Sequence, residues 1–224
     1  MVPTSEAVAE ALETIPEGAP WPWAALRVMP AIRGTRVPVI DDVELEKFGF
    51  EPLSAFPTVE MRPGVDVSFA IEVEVVHVNV DQQHLDRWDM TIDQVAPVAM
   101  SNLVRTVGTW KGEVYADTYE GIETRMLRGW PQWALSLILL PEELKRLFGA
   151  HDQFFVAPFA CNLISLPIDV DRDLAADIVD LFGWVNPRSL LLGLPGFVLR
   201  AGELSTAELP GFSDLPDDEV AAQV

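Results

Sequence analysis

His77, Asp81 and His84 form a His-x3-Asp-x2-His pattern, and imidazole nitrogens with a carboxylate oxygen suit a divalent transition metal. The pattern lies where a strand-like run ends, so a corner there could aim all three side chains inward or leave them along a solvated edge. Asp86 and Asp89 would add oxygen donors, but acids are common throughout this chain. Structural zinc sites normally use four Cys or His ligands, and the spacing fixes no such set. The expectation is therefore a fold that needs no metal and no cofactor. A metal-assisted enzyme or small-molecule site around His77, Asp81 and His84 is kept as the alternative.

Three other constellations carry chemistry in principle. Asp169, Asp171 and Asp173 imitate the opening of a calcium loop, yet Leu174 and Asp180 stand where an EF-hand needs Gly and Glu. Carboxylates ahead of a helix favour its N-terminal dipole without any ion. Cys161 lies in an apolar run between Ala160 and Asn162; a thiolate nucleophile there would need a base such as His151 to approach it in space. Glu72 and Glu74 share one face of a strand, as a pair of acid–base carboxylates would, although two Glu on the solvent side of a sheet give the same pattern. No catalytic residue is assigned.

Cations are scarce here, so Arg125, Arg128 and Arg188 stand out beside Trp130, Trp133 and Trp184. Aromatic and Arg side chains dominate the hot spots of protein interfaces. These six are the expected binding residues, against a plainer reading in which the Trp side chains fill core and Arg188 pairs with an acid.

The elements that must position these residues are legible from periodicity. Asp66 to Val80 alternates with Val67, Phe69, Ile71, Val73 and Val75 on one face; the apolar role then passes to Val76, Val78 and Val80, which predicts one strand with a bulge near Val75 and Val76. Thr91 and Gln94 make a capping-box pattern ahead of Ile92, Val95, Ala99 and Leu103. Pro141 to Phe148 reads as a helix with Pro first, Glu142 and Glu143 in the first turn, Lys145 and Arg146 near the end and Gly149 as the stop. Further helices are predicted over Thr4–Thr14 and from Asp171 or Asp173 to Gly183. Trp133 to Leu140 reads as a strand, Gln153 to Pro167 as a strand pair, and Leu26–Met29 and Arg36–Ile40 as short edge strands among the prolines of residues 15–64.

The fold class expected is α+β, a mainly antiparallel sheet packed with three or four helices. Residues 1–64 are expected to form a Pro-rich N-terminal segment packing on the main domain, 65–212 the α+β core domain, and 213–224 an acidic frayed tail. At 224 residues, 49% hydrophobic and 22% charged, the chain has the composition of a globular protein with a substantial core. Its 35 Asp and Glu against 15 Lys and Arg give a formal charge of -20, a field that disfavours nucleic acid and anionic lipid as partners. A protein partner is expected, on charge grounds a basic one. One cysteine and the polar, acidic start MVPTSEAVAEALE favour the cytoplasm, and no apolar run reaches the ~20 residues of a membrane helix.

From Val65 to Arg200 the chain resembles the YtpQ-like family of uncharacterised bacterial proteins. The similarity lies in a strand leading into HLDRWDMTIDQVAPVAMSNL, then ALSLILLPEELKRLFG, an FFVAPF strand, and NPRSLLL ahead of a final strand. Where that family reads more like VAxPxRDxLL, this chain has Phe159, Ala160, Cys161 and Asn162 and so lacks the family's Arg-Asp pair. The resemblance implies an α+β fold and brings no established activity. With no reaction-specific constellation in view, the reading is a non-catalytic, regulatory, chaperone-like or inhibitor-like protein that works through protein contacts.

Overall fold

The computed structural model describes residues 5–32, 56–73, 76–127, 131, 133–159, 162–183 and 196–207. Its class is α+β, with two antiparallel sheets and six α-helices among the described residues. The four helices read from periodicity are all there, as α1 (Ser5–Glu13), α4 (Ile92–Thr109), α5 (Pro141–Phe148) and α6 (Arg172–Gly183), joined by the short α2 (Trp21–Ala24) and α3 (Gln82–Trp88). The chain divides into two compact units with a boundary between Lys111 and Gly112. No described helix is long and apolar enough to cross a membrane.

In the first unit β3 (Val65–Val73) is the central strand. It pairs with β1 (Val28–Ile32) on one edge and with β2 (Val59–Arg62) and β4 (Val76–Asn79) on the other. Pro30 sits in β1, an edge strand, where its missing N–H breaks no second ladder. The run expected to be one bulged strand is instead a hairpin. Val73 pairs directly with Val76, and Ile71 with Val78. Because partners across this reversal sum to an odd number, the face carried by odd residues before it is carried by even residues after it. That parity produces the switch of apolar positions which a bulge also explains, and Glu74-Val75 carries none of the Gly, Asn or Asp that usually marks such a turn. The second expected edge strand, Arg36–Ile40, lies outside the described residues.

Helix α4 lies against β1 and buries Val95, Ala99, Leu103 and Val107 at helical spacing. Its start follows the capping box, with the Thr91 amide donating to Gln94 Oε1 at 2.8 Å.

The second unit is a six-stranded sheet in the order β10-β9-β7-β8-β6-β5, from β5 (Val114–Tyr119), β6 (Ile122–Leu127), β7 (Gln153–Phe159), β8 (Asn162–Pro167), β9 (Gly196–Arg200) and β10 (Glu203–Ala207). The even-numbered Phe154, Val156, Ile164 and Leu166 form a cluster with Ala175, Ile178 and Val179 of α6. On the opposite face Phe155 meets Phe148 of α5 edge-on at 5.3 Å. With both faces covered, β7 and β8 read as continuous apolar runs rather than alternating ones. The β7–β8 ladder shifts register between Val156 and Phe159, around Pro158, which has no N–H to give.

Hairpins β5–β6 and β9–β10 turn on Glu120-Gly121 (φ 48 and 84) and Ala201-Gly202 (φ 49 and 87), both in the doubly left-handed geometry that fits the twist of the strands. Gly121 is the local signal for β5–β6, a hairpin the periodicity alone does not announce. Trp133 to Leu140 is not a strand: Leu135–Leu139 forms a 3-10 turn, buried throughout, that feeds directly into α5. An unbroken apolar run fixes burial but not period, so strand and buried helical turn look alike in sequence.

Candidate functional site

In the first unit the segment Gly18–Val28 is gripped through its backbone. Pro20 precedes α2 and Pro22 lies in its first turn, which leaves few internal bonds to hold so short a helix. The holding is done by side chains. Carbonyls of Gly18, Ala19, Trp23, Ala25, Leu26 and Val28 all accept side-chain donors.

Helix α3 contributes two of these bonds, Arg87 Nη1 to Gly18 O and Trp88 Nε1 to Ala19 O, each at 2.8 Å. Asn102 of α4 contributes two more: its Nδ2 donates at 2.9 Å to both Ala25 O and Val28 O. Its Oδ1 accepts from Arg105 Nη2 at 2.8 Å, and the same nitrogen reaches Leu26 O at 3.3 Å. Asn102 is 5% exposed, so this amide meets the rule that a buried polar group must be fully bonded. Arg27 completes the set, donating to Trp23 O at 3.0 Å with its guanidinium carbon 4.4 Å from the Trp23 ring centroid. The Trp21 and Trp88 rings meet at 5.1 Å beneath.

The outcome is a rigid corner with an unusual surface. Leu26 is 63% exposed and Val104 50% exposed, two of the largest apolar exposures among the described residues. Arg105, next to Val104 in sequence, bonds the Leu26 carbonyl. Arg27, Arg87 and Arg105 have no ion-pair partner among the described residues, because each donates to neutral carbonyl or amide oxygens. In the second unit three cations are instead matched to acids, Arg125 with Glu123 at 2.6 Å, Lys145 with Glu142 at 2.7 Å and Arg146 with Glu143 at 2.6 Å, while Arg172 lies over the Phe154 ring.

The residues singled out from sequence fare differently. Asp81 and His84 do come together, but to start α3: Asp81 Oδ1 accepts the His84 amide at 2.9 Å and lies 2.7 Å from His84 Nδ1. Burial pushes the Asp81 carboxyl up, and the His84 bonds outweigh it and hold its pKa below the ordinary value. Among the described residues no three His, Cys, Asp or Glu side chains gather to hold a metal ion. Asp171 likewise serves a helix, accepting the Asp173 amide at 2.8 Å at the start of α6. Trp133 is buried, as the plainer reading of the Trp residues has it, and Arg125 donates to Phe148 O at 3.0 Å besides its ion pair. Arg128, Trp130, Trp184, Arg188, Glu74 and Cys161 lie outside the described residues. A Trp–Arg pair does stand in the first unit, Trp23 with Arg27, and its local signal is their four-residue spacing.

His77 stands directly across from Glu72 on the β3–β4 hairpin. Burial raises the Glu72 pKa and partial desolvation lowers that of His77, which stays exposed to solvent, so both shift toward the neutral form. A carboxyl whose folded pKa is raised costs stability above that pKa, and the cost fades as pH falls toward the ordinary value; a His whose folded pKa is lowered costs stability below about pH 6.5. Glu72→Gln is therefore expected to stabilise the protein at pH 8, with a gain that vanishes near pH 4. His77→Gln should stabilise it only below pH 6.5. Urea denaturation of the two variants across that range checks both signs, and a gain for Glu72→Gln that grows on acidification would contradict the assignment.

No family model, no curated protein and no solved structure matches the chain.

Proposed function

We propose that this chain is a non-catalytic protein that acts by binding another protein, through the corner formed by Trp23, Leu26, Arg27, Val104 and Arg105. One observation carries the reading: a large aliphatic side chain, Leu26, is held out at 63% exposure on a backbone whose carbonyls are tied down on both sides of it. Ordering costs oppose association, and a surface already ordered avoids them. Trp and Arg beside an exposed aliphatic group match the composition of interface hot spots.

The metal-assisted alternative around His77, Asp81 and His84 is less well supported, because Asp81 and His84 are engaged with each other at the start of α3.

The test is a photoreactive amino acid placed at position 26 in the native cell, with position 118 on β5 as an exposed control. Crosslinking followed by mass spectrometry is expected to yield one discrete protein from position 26 that is not obtained from 118. Equal or absent crosslinking from the two positions would sink the reading.

A further inference from the structure

We propose that the occupant of this corner is an acidic protein segment carrying large apolar side chains, not the basic partner that the net charge suggests. This rests on the reading of the corner as an interaction surface and names the chemistry of what it binds.

A guanidinium that donates to a carbonyl oxygen keeps its full positive charge, whereas one beside a carboxylate is locally neutralised. Arg27, Arg87 and Arg105 are of the first kind, and all three reach the eleven-residue stretch from Gly18 to Val28. Arg27 and Arg105 bring two such charges to the backbone around Leu26 on a chain of net charge -20, whereas Arg87 reaches Gly18 with Glu17 and Asp86 next to the two bonded residues in sequence. A basic segment seated on Leu26 would meet the cations of Arg27 and Arg105. An acidic one would gain charge-assisted bonds from their remaining N–H groups, while Leu26 and Val104 offer apolar area for its Leu or Phe side chains.

The two charge scales give the proposal a kinetic signature. At low salt the whole-molecule field repels an acidic segment before it arrives, and salt screens that long-range term first. Raising salt from about 0.02 to 0.15 M should therefore speed association of an acidic ligand, whereas a basic ligand should associate more slowly.

The test uses the full chain and three synthetic twelve-residue peptides: one mixing Asp and Glu with Leu and Phe, one with the same apolar residues and Lys in place of the acids, and one with the acids and Ala only. Binding is followed by calorimetry and stopped-flow tryptophan fluorescence. The acidic apolar peptide is expected to bind most tightly. Arg105→Gln, Arg27→Gln and Leu26→Ser should each weaken it about tenfold, as hot-spot truncations do; Arg105→Lys should restore part of the loss, and Thr118→Asp should leave binding unchanged. Tighter binding of the Lys peptide, lost in Leu26→Ser, would overturn this inference and leave the interaction surface standing. No binding of any peptide, together with no crosslink from position 26, would overturn both. An acidic-peptide affinity that Arg27→Gln and Arg105→Gln leave unchanged, with circular dichroism confirming folded variants, would overturn the assigned role of the arginines.

Discussion

Replacing Asn102 with leucine is expected to destabilise the first unit by about 2–4 kcal/mol, although leucine fits a helix interior better and has the same branched heavy-atom skeleton. The carboxamide is buried and its Nδ2 satisfies two backbone carbonyls at once, Ala25 O and Val28 O, each at 2.9 Å. Leucine leaves both acceptors without this donor, Val28 O at a buried bond and Ala25 O at a half-buried one, and an orphaned buried polar group costs about 1–3 kcal/mol. Asn102→Asp makes the cause testable. It keeps the shape and the acceptor for Arg105 but removes both donors and turns a negative oxygen toward carbonyl oxygens. Aspartate should therefore cost at least as much as leucine. Urea denaturation followed by tryptophan fluorescence reads this unit through Trp21, Trp23 and Trp88. If both variants stay within about 0.5 kcal/mol of the parent protein, the clamp is not what holds the corner.

Gly196→Ala is expected to cost the second unit about 2–3 kcal/mol, for want of space rather than of backbone freedom. A Cβ at 196 would stand 2.3 Å from Phe154 Cζ and 2.7 Å from Cε2. Phe154 cannot readily yield. It is 0% exposed within the cluster of β7, β8 and α6, and the Arg172 guanidinium carbon lies 3.6 Å from its ring centroid. The register places Phe154 opposite Val198, so Gly196 is the diagonal neighbour on the same face, within reach of an aromatic ring. Phe154→Leu alone removes packing and should also destabilise. In the double variant the ring that clashes is gone, so the combined cost should be smaller than the sum of the two single costs by more than about 0.5 kcal/mol. Strict additivity in thermal denaturation would show that the clash has been misplaced.

Much of the fold was legible because its signals are local. Pro141, the Glu142–Glu143 and Lys145–Arg146 pairs and Gly149 delimit α5 within one stretch of nine residues, and the helix runs from Pro141 to Phe148 as read. Thr91 and Gln94 mark the start of α4 in the same way. The errors have a shared physical origin. Parity across the Val73–Val76 reversal, and strand against 3-10 turn at Leu135–Leu139, are cases where one apolar pattern serves two backbones and only the partner strand or helix decides between them.

The sequence by itself determined the α+β class, the ends of the long helices, the acidic balance and the absence of a reaction-specific motif, since each depends on composition or on residues within a few positions of one another. Tertiary structure alone decided the site. The bonds that build the corner join residues 69, 74, 77 and 79 positions apart. Asn102 reads in sequence as a polar interruption of an amphipathic helix, and Arg105 as a solvated charge about one turn from its end. Helical periodicity sets which face of α4 they occupy, but whether a side chain on that face meets water or a backbone carbonyl depends on the strand laid against it. That contact converts an Asn into a clamp and sets Arg105 against the Leu26 carbonyl.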